Sequence, residues 1–249
     1  MKHPPPDRPQ HLPQHCHHDV TALILSGGRG ERMNGQDKGL VKYQNSTLAE
    51  TTICILKPQV RDLIISCNRN LEDYKKFGFL IASDQSNRLH CEEYPGPIAG
   101  ILSASELVQT QYIQLCPCDT PSIPDNLVDL LMNQLTTQQS IVYHNSTDHN
   151  PANHNNETQN ITDGEINAQN NRLAQEKTPP LIAVPFDGER LQPLHALIHT
   201  QLIPSLSQYF DKGGRKIRDW IATQAAIEVD VSSHRIKFRN INRPEDLEA

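Results

Sequence analysis

Four short apolar runs in the first half of the chain constrain its fold most: TALILS (21–26), DLIISC (62–67), FLIAS (79–83) and YIQLC (112–116). They are short and rich in leucine and isoleucine, which suits strands buried on both faces. The stretches between most of them have helical spacing. Thr47 opens T-L-A-E, a capping box with Glu50, and Pro58 closes that helix. GPIAGILSASELV (96–108) carries apolar residues at helical intervals, and Ser122-Ile-Pro-Asp125 opens another helix with Pro124 in its first turn. Beyond residue 180, LIAVPF (181–186), IEVDV (227–231) and KFRNIN (237–242) supply further strands, separated by helices at roughly 194 to 210 and 215 to 225. The alternation predicts an α/β fold: a single doubly wound, mostly parallel, Rossmann-like sheet.

Not all of the chain fits that pattern. Its 249 residues are 36% hydrophobic and only 5% aromatic, so part of it is expected to lie outside the core. Residues 1–19 contain five Pro and five His and read as a disordered tail, whose HCHH cluster (15–18) would have incidental metal affinity. From about 144 to 177, twelve residues are Asn or Gln and none is aromatic. Such a segment buries too little apolar surface to offset its ordering entropy, and reads as a disordered insertion. The body from 20 to 249 is then one domain. A formal charge of −6 argues against a nucleic-acid partner. No apolar run approaches the ~20 residues that span a bilayer. The first 19 residues have no apolar core of a secretory signal, so a cytoplasmic protein with reduced cysteines is expected.

In an open α/β sheet, ligands bind beyond the carboxyl ends of the strands. The predicted strands end at Ser26-Gly27-Gly28, at Ser66-Cys67-Asn68-Arg69, at Asp84 and at Cys118-Asp119-Thr120. The first is followed by Arg29, Arg32 and Lys38 among further glycines, an arrangement suited to a phosphate held by backbone N–H groups. Gly-Lys-Ser/Thr does not occur, which excludes a P-loop, and G-R-G-E-R-M lacks the third glycine of the dinucleotide fingerprint. A loop of this length can wrap a triphosphate, with Lys38 returning as a point charge. In PCDTP (117–121), Asp119 is angled by two prolines toward the same crevice. A carboxylate there suits Mg²⁺, which takes one or two protein carboxylates plus phosphate oxygens; the alternative is an Asp that caps the next turn. Cys116 and Cys118 have no second pair at zinc spacing and read as buried thiols.

LILSGGRGERMNGQDKGL resembles the L-x-G-G-x-x-x-R-M-x-G-x-D-K-G-L signature of the molybdenum cofactor guanylyltransferases, the MobA proteins. YPGPIAGILSA, LCPCDTPSIP and the closing FRNINRPEDL are similar to further blocks of that family, in the same order, over roughly residues 20 to 135 and 180 to 249. The resemblance implies a nucleotidyltransferase sheet that moves GMP from GTP to molybdenum-carrying molybdopterin, with Mg²⁺ as cofactor. It further implies that Leu25, Ser26, Gly27 and Gly28 line the nucleotide pocket and that Lys38 contacts the triphosphate. Asp84 would hold the nucleoside, Asp119 the metal, and Arg32 would steady the leaving pyrophosphate. Ser66 stands where the family pattern has Asn, and Asn68 is the candidate to share that contact. Arg69, the Tyr94-Pro95-Gly96-Pro97 turn, Arg215 with Lys216, and Asn240 and Asn242 are candidates for the pterin or metal shell. A monomer is expected, with transient contacts to cofactor-biosynthesis or molybdoenzyme-maturation proteins.

Rival readings are a molybdopterin cytidylyltransferase, a sugar-phosphate nucleotidylyltransferase, and, outside enzymes, a GTP-binding regulator or metallochaperone built on the His-rich tail. A GTP-switch protein would be expected to carry a P-loop.

Overall fold

The computed structural model describes residues 17–26, 35–83, 96–147 and 178–247. Seven strands form the main sheet: β1 (His17–Leu25), β4 (Val60–Ser66), β5 (Leu80–Ala82), β6 (Tyr112–Pro117), β7 (Ile182–Phe186), β8 (Leu197–His199) and β9 (Ala226–Asp230). Their order is β5-β4-β1-β6-β8-β7-β9. Only β8 runs against the rest, antiparallel to both β6 and β7. A small hairpin, β2 (Lys42–Tyr43) with β3 (Ser46–Thr47), lies apart from it.

The doubly wound layering follows from the period of a strand, which sends successive side chains to opposite faces. In β1, Ala22 and Ile24 join the core that contains Ala49, Ile53 and Leu56 of α1 (Leu48–Leu56) and Leu127, Leu131 and Leu135 of α4 (Leu127–Thr147). Leu23 and Leu25 join the opposite core, with Ile98 and Ile101 of α3 (Pro97–Ser105), Leu206 of α5 (Ile203–Asp211) and Trp220 of α6 (Ile217–Ile221). Both faces are covered, so β1 is continuously apolar from Ala22 to Leu25 rather than alternating. α1 starts at the predicted capping box: Thr47 accepts from Glu50 N–H and Glu50 accepts from Thr47 N–H. It ends at Leu56, and Pro58 lies in the 3-10 turn that follows.

Several boundaries differ from the sequence reading. β1 begins at His17, inside the segment assigned to the tail; its backbone pairs with Val60, and ladder bonds need no apolar side chain. α4 starts at Leu127 rather than near Pro124; Val128 N–H donates to Gln59 Oε1, so a residue from another element caps it. It continues to Thr147, past the predicted start of the insertion, and residues 148–177 lie outside the described residues. The predicted helix from 194 is broken by β8, three residues pinned by pairing to β6 and β7 on both sides. KFRNIN is not a strand. A 3-10 segment (Ser232–Phe238) leads into an irregular stretch whose Ile241 N–H donates to the Asp119 carbonyl at 2.8 Å. It crosses the carboxyl ends of the strands instead of adding to a sheet edge. No helix among the described residues is long and apolar enough to cross a membrane.

Candidate active site

The chain passes from β1 to β4 and β5 on one side and returns to β6 on the other, so the crevice opens at the ends of β1, β4 and β6. Leu25 is in register with Ser66 and with Pro117. Ser26 N–H then donates to the Ser66 carbonyl (2.8 Å), and Cys118 N–H donates to the Leu25 carbonyl (3.1 Å). Three strand ends are thereby stitched into one rim. α3 presses on this rim through Gly100, where a Cβ would lie 2.4 Å from Ser66 Oγ. Leu25 and Ser26 are buried at the rim, where the Ser26 hydroxyl lies beside the Tyr74 phenol and the Cys118 thiol.

Lys38 is the hub. It starts a 3-10 turn (Lys38–Leu40) whose N-cap is Asp37, and its Nζ donates to Asp119 Oδ2 (2.5 Å) and to Asn242 Oδ1 (2.8 Å). Both members of the ion pair are largely shielded, with side-chain exposures of 22% and 16%. Beside them Thr120 Oγ1 donates to Asn240 Oδ1 (3.0 Å). Asn242 is held in turn by Asp246, whose Oδ2 accepts from Asn242 N–H (2.8 Å) and Arg243 N–H (3.0 Å). Those two N–H groups keep the Asp246 carboxyl below its usual range. Residues about 200 positions apart therefore converge on one ammonium group.

Other predicted residues fall as follows. Asn68 and Arg69 are half-buried directly after β4. Gly96, at φ +83°, caps α3 and faces the Arg215 carbonyl, where a Cβ would be 3.9 Å away, so these two pterin candidates are neighbours. The Arg215 guanidinium donates to the Phe210 and Gly214 carbonyls (2.9 Å each) and stacks on the Phe210 ring at 4.3 Å. Gly27, Gly28, Arg32, Asp84, Tyr94 and Pro95 lie outside the described residues. Cys116 and Cys118 are free and buried as predicted; burial and the nearby Asp119 push the Cys118 thiol up to about 12, so it is not a nucleophile here.

The sequence reading missed Asp37 and Tyr74. Tyr74, in the short helix α2 (Leu71–Lys75), is fully buried and donates from its hydroxyl to Asp37 Oδ1 (2.7 Å). No sequence signal pointed to Tyr74; the fit shows only in the structure, where a Cβ on Gly39 would lie 2.3 Å from the Tyr74 oxygen.

The donor set around Lys38 is all oxygen: the Asp119 carboxylate and the Asn240 and Asn242 amides. Hard divalent cations prefer such ligands. No group of three or more His, Cys, Asp or Glu placed to hold a metal occurs among the described residues, so a cation here would draw on few carboxylates.

Residues 22–160 match the model of the MobA-like NTP transferase domain. A molybdenum cofactor guanylyltransferase of Shewanella piezotolerans is 33% identical over 226 residues, covering 91% of this chain and 89% of that protein. The chain belongs to the molybdenum cofactor guanylyltransferase family. It is thus a nucleotidyltransferase. The Ralstonia pickettii member is 34% identical over 229 residues, covering 92% of this chain and 94% of its own. Among solved structures, the molybdopterin-guanine dinucleotide biosynthesis protein A of Archaeoglobus fulgidus superposes with a TM-score of 0.58 at 19% identity, covering 92% of this chain and 95% of that one. A Mycobacterium tuberculosis protein solved in complex with manganese gives 0.53 at 12%, covering 86% and 88%. These two likenesses are of fold. The Lys38 hub joins three of the sequence blocks that carried the resemblance: D-K-G-L, C-D-T-P and N-I-N-R-P-E-D-L.

Proposed function

We propose that the protein transfers GMP from GTP to molybdopterin carrying molybdenum, in the cytoplasm. The terminal phosphate oxygen of the pterin attacks the α-phosphorus of GTP. The bond from that phosphorus to the bridging oxygen of the β-phosphate breaks, and pyrophosphate departs with the electron pair. The products are the guanine dinucleotide cofactor and pyrophosphate. Relatives of high coverage support this choice of substrates.

The observation that carries the reading is the Lys38–Asp119–Asn242 cluster at the switch-point crevice. Phosphoryl chemistry asks a protein chiefly to position groups and neutralise charge. Lys38 does this by moving its ammonium from Asp119 to the triphosphate. Asp119, with Asn240 and Asn242 beside it, would hold Mg²⁺, which would supply Lewis-acid neutralisation of the phosphate oxygens. The role assigned to Leu25, Ser26, Gly27, Gly28 and Asp84 is to bind the nucleoside. Arg32 meets the leaving pyrophosphate. Asn68, Arg69, the Tyr94–Gly96 turn and Arg215 border the pterin.

The test is to offer the protein molybdopterin with each of the four nucleoside triphosphates and identify the dinucleotide by mass. A guanine product in large excess is expected. A cytosine product would replace this reading with the cytidylyltransferase one, and turnover only when a sugar phosphate is supplied in place of the pterin would replace it with the sugar-phosphate one.

A further inference from the structure

Lys38 can serve only if its turn is fixed, and the fixing group lies outside the glycine-rich loop. Asp37, immediately before Lys38, receives three donors: Gly39 N–H (3.3 Å) and the Tyr74 hydroxyl (2.7 Å) on Oδ1, and Asn70 Nδ2 (3.0 Å) on Oδ2. With both oxygens engaged this way, Asp37 is a keystone of the turn rather than a ligand for metal. Two of the donors come from one place, α2 and its N-cap, just beyond the end of β4. Asn70 adopts a left-handed conformation (φ +51°) and sits at the N-cap of α2 without capping it. Its amide reaches Asp37 instead, although capping its own helix is the commoner use of such an Asn. The Tyr74 ring is buried and meets Phe77 edge-on at 5.8 Å, so a Phe would fill the same space. What the hydroxyl adds is its bond to Asp37 and its approach to the Ser26 hydroxyl. Burial keeps that phenol protonated, as does the negative charge of nearby Asp37, so it remains a donor.

We infer that Tyr74, seconded by Asn70, is a positioning residue for the transfer reaction: through Asp37 it sets the angle at which Lys38 reaches Asp119 and the triphosphate. The inference rests on the proposed role of Lys38 toward GTP. The turn and the tyrosine are fitted to one another, because Gly39 leaves no room for a side chain against the phenol oxygen. α2 thereby couples the end of β4, at the rim of the crevice, to the cation proposed to serve the triphosphate.

The test is a double-mutant cycle on the full chain, reading the Kd for GTP by calorimetry and Tm in parallel. Tyr74→Phe should weaken GTP about fivefold, the usual worth of one buried hydrogen bond. In the Lys38→Ala background it should change Kd by less than twofold, while lowering Tm equally in both backgrounds. Asn70→Gly, which keeps the left-handed backbone without strain, should behave the same way and serves if Tyr74→Phe folds poorly. An equal loss of affinity in both backgrounds, or none in the parent, would overturn the positioning role. If Lys38→Ala alone leaves GTP binding intact, the role proposed for Lys38 is what has failed.

Discussion

Lys38 and Arg215 invite comparison, because each is a cation beside a glycine packed against a tyrosine. A Cβ on Gly39 would lie 2.3 Å from the Tyr74 hydroxyl, and one on Gly214 would lie 2.3 Å from the Tyr209 ring. The cations differ in whom they serve. Lys38 reaches side chains 81 and 204 residues away, whereas Arg215 reaches carbonyls five residues and one residue away. Carbonyls at a helix end need donors, and Arg215 supplies one to the end of α5. A cation held by polar side chains from distant segments has been gathered at some entropic cost, for which helix capping gives no reason. The first arrangement marks a site; the Arg215 contacts given above hold a turn closed, whatever else that residue does.

The sharpest way to break the comparison is Asp119→Asn. The substitution keeps the shape but removes the charge that pairs with Lys38 and would attract Mg²⁺. Turnover should fall by about a hundredfold or more, since neutralising charge at a transferring phosphoryl group is worth several kcal/mol. The fold should survive, because Lys38 retains Asn242 and is partly open to solvent. Near-normal kcat across a Mg²⁺ titration would make Asp119 a structural cap. Lys38→Ala should differ in kind. It removes a charge-assisted hydrogen bond of roughly 1.5–3 kcal/mol from the bound triphosphate, so KM for GTP should rise about ten- to a hundredfold. An unchanged KM would make Lys38 a structural cation.

The segment that delivers Asn240 and Asn242 can be stressed from below. Its Phe238 meets the buried His195 ring edge-on at 5.2 Å and 89°, and neither His195 nitrogen has a hydrogen-bond partner among the described residues. Burial lowers the His195 pKa from 6.5 to about 3. Between those values the unfolded chain binds a proton that the folded chain refuses, so stability is lost as pH falls from about 6.5 toward 3, by up to ~1.4 kcal/mol per unit. Urea unfolding from pH 7 to pH 4.5 should show this slope, and His195→Leu should flatten it. The carboxyls held low, Asp187 and Asp246 among them, matter only at the acid end of that range. An unchanged slope in His195→Leu would mean that water reaches the ring.

The sequence made the parallel half of the sheet legible because burial on both faces leaves a continuous apolar signature. It could not reveal β8, whose three residues are a strand only because β6 and β7 flank them. KFRNIN has the composition of a strand yet crosses the strand ends, since its asparagines bond to Thr120 and Lys38 and not to a ladder. The D-K-G-L and C-D-T-P motifs pointed to Lys38 and Asp119 separately. Their pairing, and the supporting Asp37–Tyr74 contact, depend on residues brought together from distant positions. No local pattern encodes that.

Arg215→Ala carries the smallest expected effect and tests the other side of the comparison. The side chain gives its host turn two hydrogen bonds to carbonyls and a stacked contact with Phe210. In a partly exposed position these together are worth about 1 kcal/mol, or a fall in Tm of about 2–4 °C for a domain of this size. KM for GTP should not move, because the Arg215 guanidinium holds the carbonyls and ring of its own turn. KM for the pterin is the informative number, since Gly96 and Arg215 are neighbours. A rise of less than about threefold, tracking the loss in Tm, would leave Arg215 as a turn-closing residue. A tenfold rise with Tm unchanged would mean that the guanidinium also serves the substrate, and local partners would no longer suffice to tell a cap from a ligand.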